Sequence, residues 1–141
     1  MQLLASLVIE DFTRYYGHKN QIFVCYYIFN EELLMVSITA DNHDKEIKKS
    51  DKPVILDIFA SWCGPCLTMA PIVEELEKEL GAIYKFAKLN VDEARDISIK
   101  EYGVTSIPTF VFIKNGEIKG KEMGQMSKDK LKEKIEAALG K

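Results

Sequence analysis

The apolar positions of the chain predict alternating strands and helices from residue 35 onward. The run VILDIF at 54–59 is almost wholly apolar, as in a buried strand, and YKFAKLNV at 84–91 alternates between apolar and polar side chains. Between these two strands, apolar residues recur at helical spacing over 65–80, and Gly81 can end that helix. The pattern is that of a strand, a helix and a second strand.

Shorter elements complete the predicted order. They are a strand at 35–38, a polar helix at 41–49, a short helix at 95–101, two strands at 109–114 and 117–123 joined by Asn115-Gly116, and a last helix that Ser127 can cap. The order β-α-β-α-β-α-β-β-α predicts an α/β fold with a mixed central sheet and helices on both faces. We expect strands separated by helices to pair in parallel, and the terminal hairpin to pair antiparallel.

The first 34 residues differ in composition from the rest. The chain has 7 Phe, 6 Tyr and 1 Trp, and half of these aromatic residues precede residue 35. We therefore interpret 1–34 as an N-terminal extension and 35–141 as the folded domain. One hypothesis is that translation starts at Met35. The other is that 1–34 packs on the domain or on a partner through IFVCYYIF at 22–29. Cys25 is then either absent in the cell, a small apolar residue or a regulatory thiol.

Charge and hydropathy narrow the class of protein. The 141 residues carry a net charge of -3 with both signs mixed, so no basic stripe indicates binding to nucleic acid or to an anionic membrane. No apolar run approaches the roughly 20 residues that span a bilayer. The apolar stretch at 3–9 follows no basic residue and is a poor secretory signal. We expect a cytoplasmic protein that folds without a metal or a disulfide framework.

Two of the three cysteines, Cys63 and Cys66, have a motif spacing, in ASWCGPC. Cys63 follows a predicted buried strand, and Pro65 suits the first turn of the next helix. Free N–H groups and the dipole of that helix favour thiolate over thiol at Cys63, which predicts that Cys63 is the nucleophile. Cys66 lies one turn later on the same face, where it can form a disulfide and resolve a mixed disulfide.

Two other interpretations of the pair are weaker. A zinc site needs two more ligands, and the remaining candidates, His18, His43 and Cys25, form no second paired motif. A structural bridge has no reason to lie at a strand-to-helix junction. The sequence therefore favours redox chemistry.

The segment LDIFASWCGPC resembles the active site of the thioredoxin family, and its Gly-Pro pair is the form found in thioredoxins. The resemblance continues through APIVEELEKEL, KFAKLNVDEARDISIKEYGVTSIPTFVFIKNGE and GQMSKDKLKEKIE, and so covers about 35–141. It implies a thioredoxin fold and a monomeric protein-disulfide reductase that acts on cytosolic proteins. It also implies that no cofactor is bound, and that a flavin-containing thioredoxin reductase supplies electrons from NADPH.

Asp57 interrupts an apolar strand six residues before Cys63. Burial there raises the pKa of a carboxyl group, unless the strand is bulged or at an edge and the side chain reaches water. The resemblance implies that Asp57 moves a proton to and from Cys66, and that Lys88 lies near this carboxylate. The alternative for Lys88 is an ordinary solvated lysine.

The resemblance also implies a surface for partner proteins around the cysteines. It comprises Trp62, Gly64, Pro65, Ile107, Pro108, Met123 and Gly124. Ile107-Pro108 is implied to be a cis bond that faces the cysteines and leaves the Ile107 backbone free to pair with substrate, whereas a proline at a strand start is also unremarkable. Met123 could simply be a packing residue. Leu67 departs from the family, in which Lys or Arg is common after the second cysteine.

A function of a different class stays open. A thioredoxin fold can serve as a binding module, as a chaperone or as a subunit through the same apolar surface, without redox turnover.

Overall fold

The computed structural model describes residues 35–140. The hypotheses about the N-terminal extension, including those on Cys25 and His18, lie outside the described residues. The elements are β1 (Val36–Ser37), a π-helical turn (Asp44–Lys48), β2 (Val54–Phe59), α1 (Gly64–Leu80), β3 (Lys85–Asn90), α2 (Arg95–Lys100), β4 (Thr109–Lys114), β5 (Glu117–Met123) and α3 (Lys128–Leu139). The predicted order of elements is confirmed, with a π-helical turn where a first helix was expected.

The five strands form one mixed sheet in the order β1-β3-β2-β4-β5. β3 pairs in parallel with both β1 and β2, whereas β4 pairs antiparallel with both β2 and β5. The expectation that helix-separated strands pair in parallel is therefore wrong at β4. The six residues of α2 span only about 9 Å, and a six-residue strand spans about 20 Å. α2 by itself therefore does not return the chain along the sheet, and β4 starts at the edge where β2 and β3 end.

Helices cover both faces of the sheet, as the sequence predicts. One face buries side chains of α1 and α3, and the other buries side chains around the π-helical turn and α2. Successive residues of β2 alternate between the two faces, so that Ile55 packs under α1 while Leu56 faces the other side. This alternation matters for the site, because Asp57 lies on the same face as Ile55.

The predicted turn and capping residues act as expected. Asn115 and Gly116 both have positive φ, at 55° and 76°, as the turn of a two-residue hairpin requires. The Ser127 hydroxyl accepts a hydrogen bond of 3.3 Å from the Lys130 N–H and so caps α3. In the part of the chain that the structure describes, no helix is both long and apolar enough to cross a membrane.

Two leucines of α1 provide a matched test of the core. Leu76 is fully buried and Leu67 is 62% exposed. We expect Leu76→Ala to lower the free energy of unfolding by about 3 kcal/mol, because it removes buried apolar contacts and leaves a cavity. Leu67→Ala, at an exposed position, should change it by less than about 0.5 kcal/mol. Chemical denaturation measures both values, and equal losses would contradict the packing described for α1.

Candidate active site

The two cysteines lie at the junction between β2 and α1. β2 ends at Phe59, and Cys63 is the N-cap of α1 with an extended backbone at φ -80° and ψ 110°. Cys63 and Cys66 form a disulfide with their Cα atoms 5.2 Å apart. Pro65 lies in the first turn of the helix, where a missing N–H leaves no hydrogen bond unmade. The helix thus starts at the reactive pair.

The start of α1 favours negative charge at Cys63. The Cys66 backbone N–H donates a hydrogen bond to Cys63 Sγ at 3.2 Å. The amino terminus of a 17-residue helix adds the positive end of its dipole at the same point. When the disulfide opens, both features stabilise a thiolate at Cys63, which is the attacking form of a cysteine.

The disulfide lies in an apolar setting. Cys63 and Cys66 each expose 5% of their surface and pack together with Ala60. Ile107 closes one side, with its carbonyl oxygen 3.8 Å from Cys63 Sγ. The Ile107-Pro108 peptide is cis, and Pro108 itself is buried beneath the surface. Ile107 and Pro108 therefore reach the pair from the loop that precedes β4.

Trp62 stands out from the surface beside this pair. Its side chain is 71% exposed, and its indole Nε1–H donates a hydrogen bond of 2.9 Å to Asp92 Oδ2. The Asp92 backbone N–H in turn donates to Asn90 Oδ1 at 3.0 Å. Asp92 was not predicted from the sequence. The only hint of Asp92 in the sequence is that an acidic residue follows β3 closely, at the edge of the sheet where the cysteines lie.

Other predicted surface residues surround the pair. Gly64 and Pro65 are exposed, and so is the side chain of Met123. Leu67, the residue that departs from the family, is exposed as well. Gly124 has φ +85°, a left-handed conformation that favours glycine, and its N–H donates to the Pro108 carbonyl at 2.9 Å.

A shallow groove of about 290 Å³ extends from the indole of Trp62 to Ile107. It also contains an acid and a base, Asp92 and Arg95, and its remaining lining residues are Val91, Ser98, Ile99, Val104, Thr105 and Ser106. A peptide segment could therefore meet both apolar and charged groups next to Cys63.

Asp57 and Lys88 are neighbours across the sheet. They are paired in the parallel register of β2 and β3, on the face that α1 covers. Asp57 is only 7% exposed, and among the described residues no group donates a hydrogen bond to its Oδ1. Burial raises the pKa of Asp57 to about 7, and the positive charge of Lys88 opposes this rise. The carboxyl group can therefore exchange a proton near neutral pH.

Glu77 is a second buried acid, and the sequence analysis missed it. It belongs to α1, is 8% exposed, and lies on the same helical stripe as Cys66 and Val73. Burial raises its pKa to about 7, with a smaller contribution from Glu74, and the charge of Lys88 again opposes the rise. Its helical spacing from Cys66 could have indicated that it lies on the buried side of the helix. The charged residues around it in EELEKEL instead suggested a side of the helix that faces water.

Metal-binding side chains do not converge within residues 35–140, where no group of three or more His, Cys, Asp or Glu could hold a metal ion. His43, a candidate ligand from the sequence, is buried, and its Nε2 is hydrogen-bonded to the Tyr102 hydroxyl at 2.6 Å. These contacts give the zinc interpretation no support.

Comparison with known proteins points to one family. A family model described as Thioredoxin matches residues 34–137. The chain is 41% identical over 103 residues to a thioredoxin of Rickettsia felis, covering 73% of this chain and 97% of that protein. A thioredoxin of Pseudomonas aeruginosa is 36% identical over 105 residues, covering 74% and 96%. A chloroplastic M-type thioredoxin of Pisum sativum is 46% identical over 93 residues, covering 66% and 54%.

The buried carboxyl of Asp57 should make stability depend on pH. Its pKa of 3.8 in the unfolded chain rises to about 7 on folding, so its neutral form is favoured in the native state. The associated stability is complete below pH 4 and is lost as the pH rises through 7. We expect Asp57→Asn to be more stable than the wild type at pH 8 by up to about 4 kcal/mol, and about equally stable at pH 4.

Denaturant unfolding of the oxidised protein between pH 4 and pH 8 measures this difference. The exposed Asp51 provides the control, since Asp51→Asn removes the same charge without a burial effect. A constant difference between Asp57→Asn and wild type across this range would contradict a buried, neutral Asp57.

Proposed function

The chain belongs to the thioredoxin family, and we propose that it is a protein-disulfide reductase in which Cys63 attacks and Cys66 resolves. Family membership and the bonded cysteine pair identify it as a thiol–disulfide oxidoreductase. The observation that carries the proposal is the position of Cys63 at the amino terminus of α1, where the Cys66 N–H donates a hydrogen bond to the Cys63 sulfur. We assign this chemistry to the domain 35–141.

The proposed reaction has two exchange steps. The Cys63 thiolate attacks one sulfur of a substrate disulfide, whose S–S bond breaks, and the other substrate sulfur leaves as a thiolate that takes up a proton. The Cys66 thiolate then attacks Cys63 in the mixed disulfide and releases the second substrate sulfur. The substrate gains two electrons and two protons, and the Cys63–Cys66 pair is oxidised to the disulfide.

Cys66 must lose a proton before the second step. We assign Asp57 as the group that accepts this proton, because it lies beneath α1 and its pKa of about 7 suits proton exchange at neutral pH. Lys88, its neighbour in the sheet, would favour the charged carboxylate that accepts the proton. The two roles are supported by the burial of Asp57 and by the pairing of Asp57 with Lys88 in the sheet.

We further propose that substrates bind the surface around the disulfide. Trp62, Gly64, Pro65, Met123 and Gly124 would contact the partner, and the loop of Ile107 and Pro108 would lie alongside it. An extended substrate segment could pair with the Ile107 backbone, whose carbonyl is already next to Cys63 Sγ. The groove between Trp62 and Ile107 would receive neighbouring side chains.

The proposal includes the electron source and the place of action. We expect a flavin-containing thioredoxin reductase to return the disulfide to the dithiol with electrons from NADPH, so that this chain binds no cofactor itself. We place the reaction in the cytoplasm and expect a monomer.

Serine substitutions test the two cysteine roles, in a Cys25→Ser background that leaves only the pair. Cys63→Ser should abolish reduction of a disulfide substrate such as insulin, to the rate of the buffer alone, because no nucleophile remains. Cys66→Ser should still attack and should accumulate a mixed disulfide, which non-reducing electrophoresis and mass spectrometry detect. Accumulation with Cys63→Ser instead would reverse the assignment.

The Cys63→Ser variant also distinguishes the reductase function from that of a binding module. Trp62, Leu67 and Met123 are exposed apolar side chains, which is the feature that favours binding without turnover. If a strain that depends on this protein grew normally with Cys63→Ser, the binding function would replace the reductase as the biological role.

The reduction potential tests the direction of electron flow. We expect equilibrium with a dithiol buffer to give a value near the roughly -270 mV of thioredoxin, as a reductase requires. Quantification of reduced and oxidised protein after thiol alkylation measures it. A value of about -180 to -120 mV, as in disulfide isomerases and oxidants, would contradict both the reductase and the cytoplasmic assignment.

A further inference from the structure

Met123 is the most accessible methionine in the part of the chain that the structure describes. It is 54% exposed. Met35 and Met126 are half-buried, and Met69 is only 1% exposed because it packs in the core. Of these four methionines, Met123 is therefore the one that an oxidant in solution reaches most easily.

Met123 is also attached to the loop that touches the reactive sulfur. The Ser106 hydroxyl donates a hydrogen bond of 3.5 Å to Met123 Sδ. Ser106 directly precedes Ile107, whose carbonyl oxygen lies 3.8 Å from Cys63 Sγ. In the sheet, Met123 is the register partner of Thr109, the first residue of β4 after this loop. A chemical change at the Met123 sulfur therefore takes place beside the loop that closes one side of the cysteine pair.

We propose that Met123 is an oxidation site, and that its oxidation by a peroxide lowers the affinity of the protein for disulfide substrates. Hydrogen peroxide transfers one oxygen atom to Met123 Sδ and forms methionine sulfoxide. A sulfur–oxygen bond forms, the oxygen–oxygen bond breaks, the thioether gives up two electrons and the peroxide is reduced to water. The inference rests on the proposed substrate surface, to which Met123 belongs.

Oxidation replaces an adaptable apolar group by a polar one. A methionine side chain is flexible and polarizable, so it fits partners of different shapes. The sulfoxide oxygen is a hydrogen-bond acceptor, and covering it with a substrate that supplies no donor costs free energy. The Ser106 hydroxyl, which already donates to this sulfur, can hold the new oxygen at the loop. Substrates should then bind more weakly, while the sulfurs of Cys63 and Cys66 are chemically unchanged.

The oxidation of Met123 is separable from that of the cysteine pair. When Cys63 and Cys66 are joined as a disulfide, they offer a peroxide no thiolate. A dithiol returns this disulfide to two thiols, whereas methionine sulfoxide is returned to methionine by dedicated reductases. The sulfoxide therefore outlasts the reduction of the pair, and the protein stays weaker in substrate binding until the methionine is repaired.

Peptide mapping tests the site of oxidation. The full-length Cys25→Ser protein in its disulfide form is treated with increasing hydrogen peroxide. Tryptic cleavage after Lys121 and Lys128 gives one peptide with both Met123 and Met126, and fragmentation of this peptide in the mass spectrometer locates the added oxygen. We expect Met123 to gain oxygen at lower peroxide than Met126 or Met69. Oxidation of either of those two before Met123 would contradict the inference.

Insulin reduction tests the consequence. Treated and untreated proteins are reduced with a dithiol, freed of it and mixed with increasing insulin in a single turnover. At a peroxide dose that converts Met123 completely, we expect the insulin concentration at half-maximal rate to rise about three- to tenfold, with an unchanged limiting rate. Treatment with methionine sulfoxide reductases should reverse the rise. A fall in the limiting rate alone, or a rise that this treatment does not reverse, would overturn the inference.

Two leucine variants are the matched controls, and each is compared with its own untreated sample. Met123→Leu keeps an apolar side chain of similar volume without a sulfur, so peroxide should not change its half-saturating insulin concentration. Met126→Leu should show the full change. An equal change in Met123→Leu would assign the effect to another residue. Failure of the proposed reductase is distinguishable, because Cys63→Ser would then still reduce insulin, wherever peroxide adds its oxygen.

Discussion

α1 is held on the sheet by Met69, Val73, Leu76 and Leu80, which are all buried against β-strand side chains and α3. This packing fixes where the helix begins. Because the N-cap is Cys63, the same contacts fix where the reactive sulfur and the first turn of α1 lie relative to the sheet. Burial of apolar surface some three turns away thus holds the positive terminus of α1, and the thiolate that it stabilises, at the edge of the sheet.

The second constraint is the direction of β4. β2 and β3 end at one edge of the sheet, and the antiparallel β4 begins there. Three connections therefore meet at that edge, carrying Trp62 and Cys63, Asp92, and Ile107 with Pro108. A parallel β4 would have sent the Ile107 loop to the far edge, away from the sulfur that its carbonyl now approaches.

Local sequence predicted most of the elements, because their signals are local. The strand at 54–59 is an apolar run after a proline with Asp57 as its one polar residue, and the hairpin has Asn115-Gly116 at its turn. The predicted bounds therefore match Val54–Phe59, Thr109–Lys114 and Glu117–Met123. The direction of β4 depends on the path of residues 91–108 between β3 and β4, and the pattern of strands and helices alone does not express it. The first helix was predicted from polar composition, which does not distinguish an α-helix from a π-helical turn.

The part of the site that could be predicted is the part that local sequence patterns reveal. Cys63 and Cys66 follow from their spacing at a strand-to-helix junction, and Asp57 follows from a charge inside an apolar run. Asp92 and Glu77 do not, since an acid in a loop or on a charged helix usually faces water. The significance of Asp92 comes from its hydrogen bond with the Trp62 indole, and that of Glu77 comes from its burial, and only the folded chain creates either.

The buried acids illustrate how stability and reactivity conflict in this fold. A carboxyl group with a pKa near 7 is one whose charge the native state disfavours, so ionisation above neutral pH weakens the fold. The same property lets Asp57 exchange a proton under the conditions in which Cys66 must lose one. If Asp57 were exposed to water, its pKa would return to the ordinary range and it would be a poor proton acceptor. Lys88 limits this cost without abolishing it, because it is the partner of Asp57 in the sheet and its positive charge opposes the rise in the pKa of Asp57.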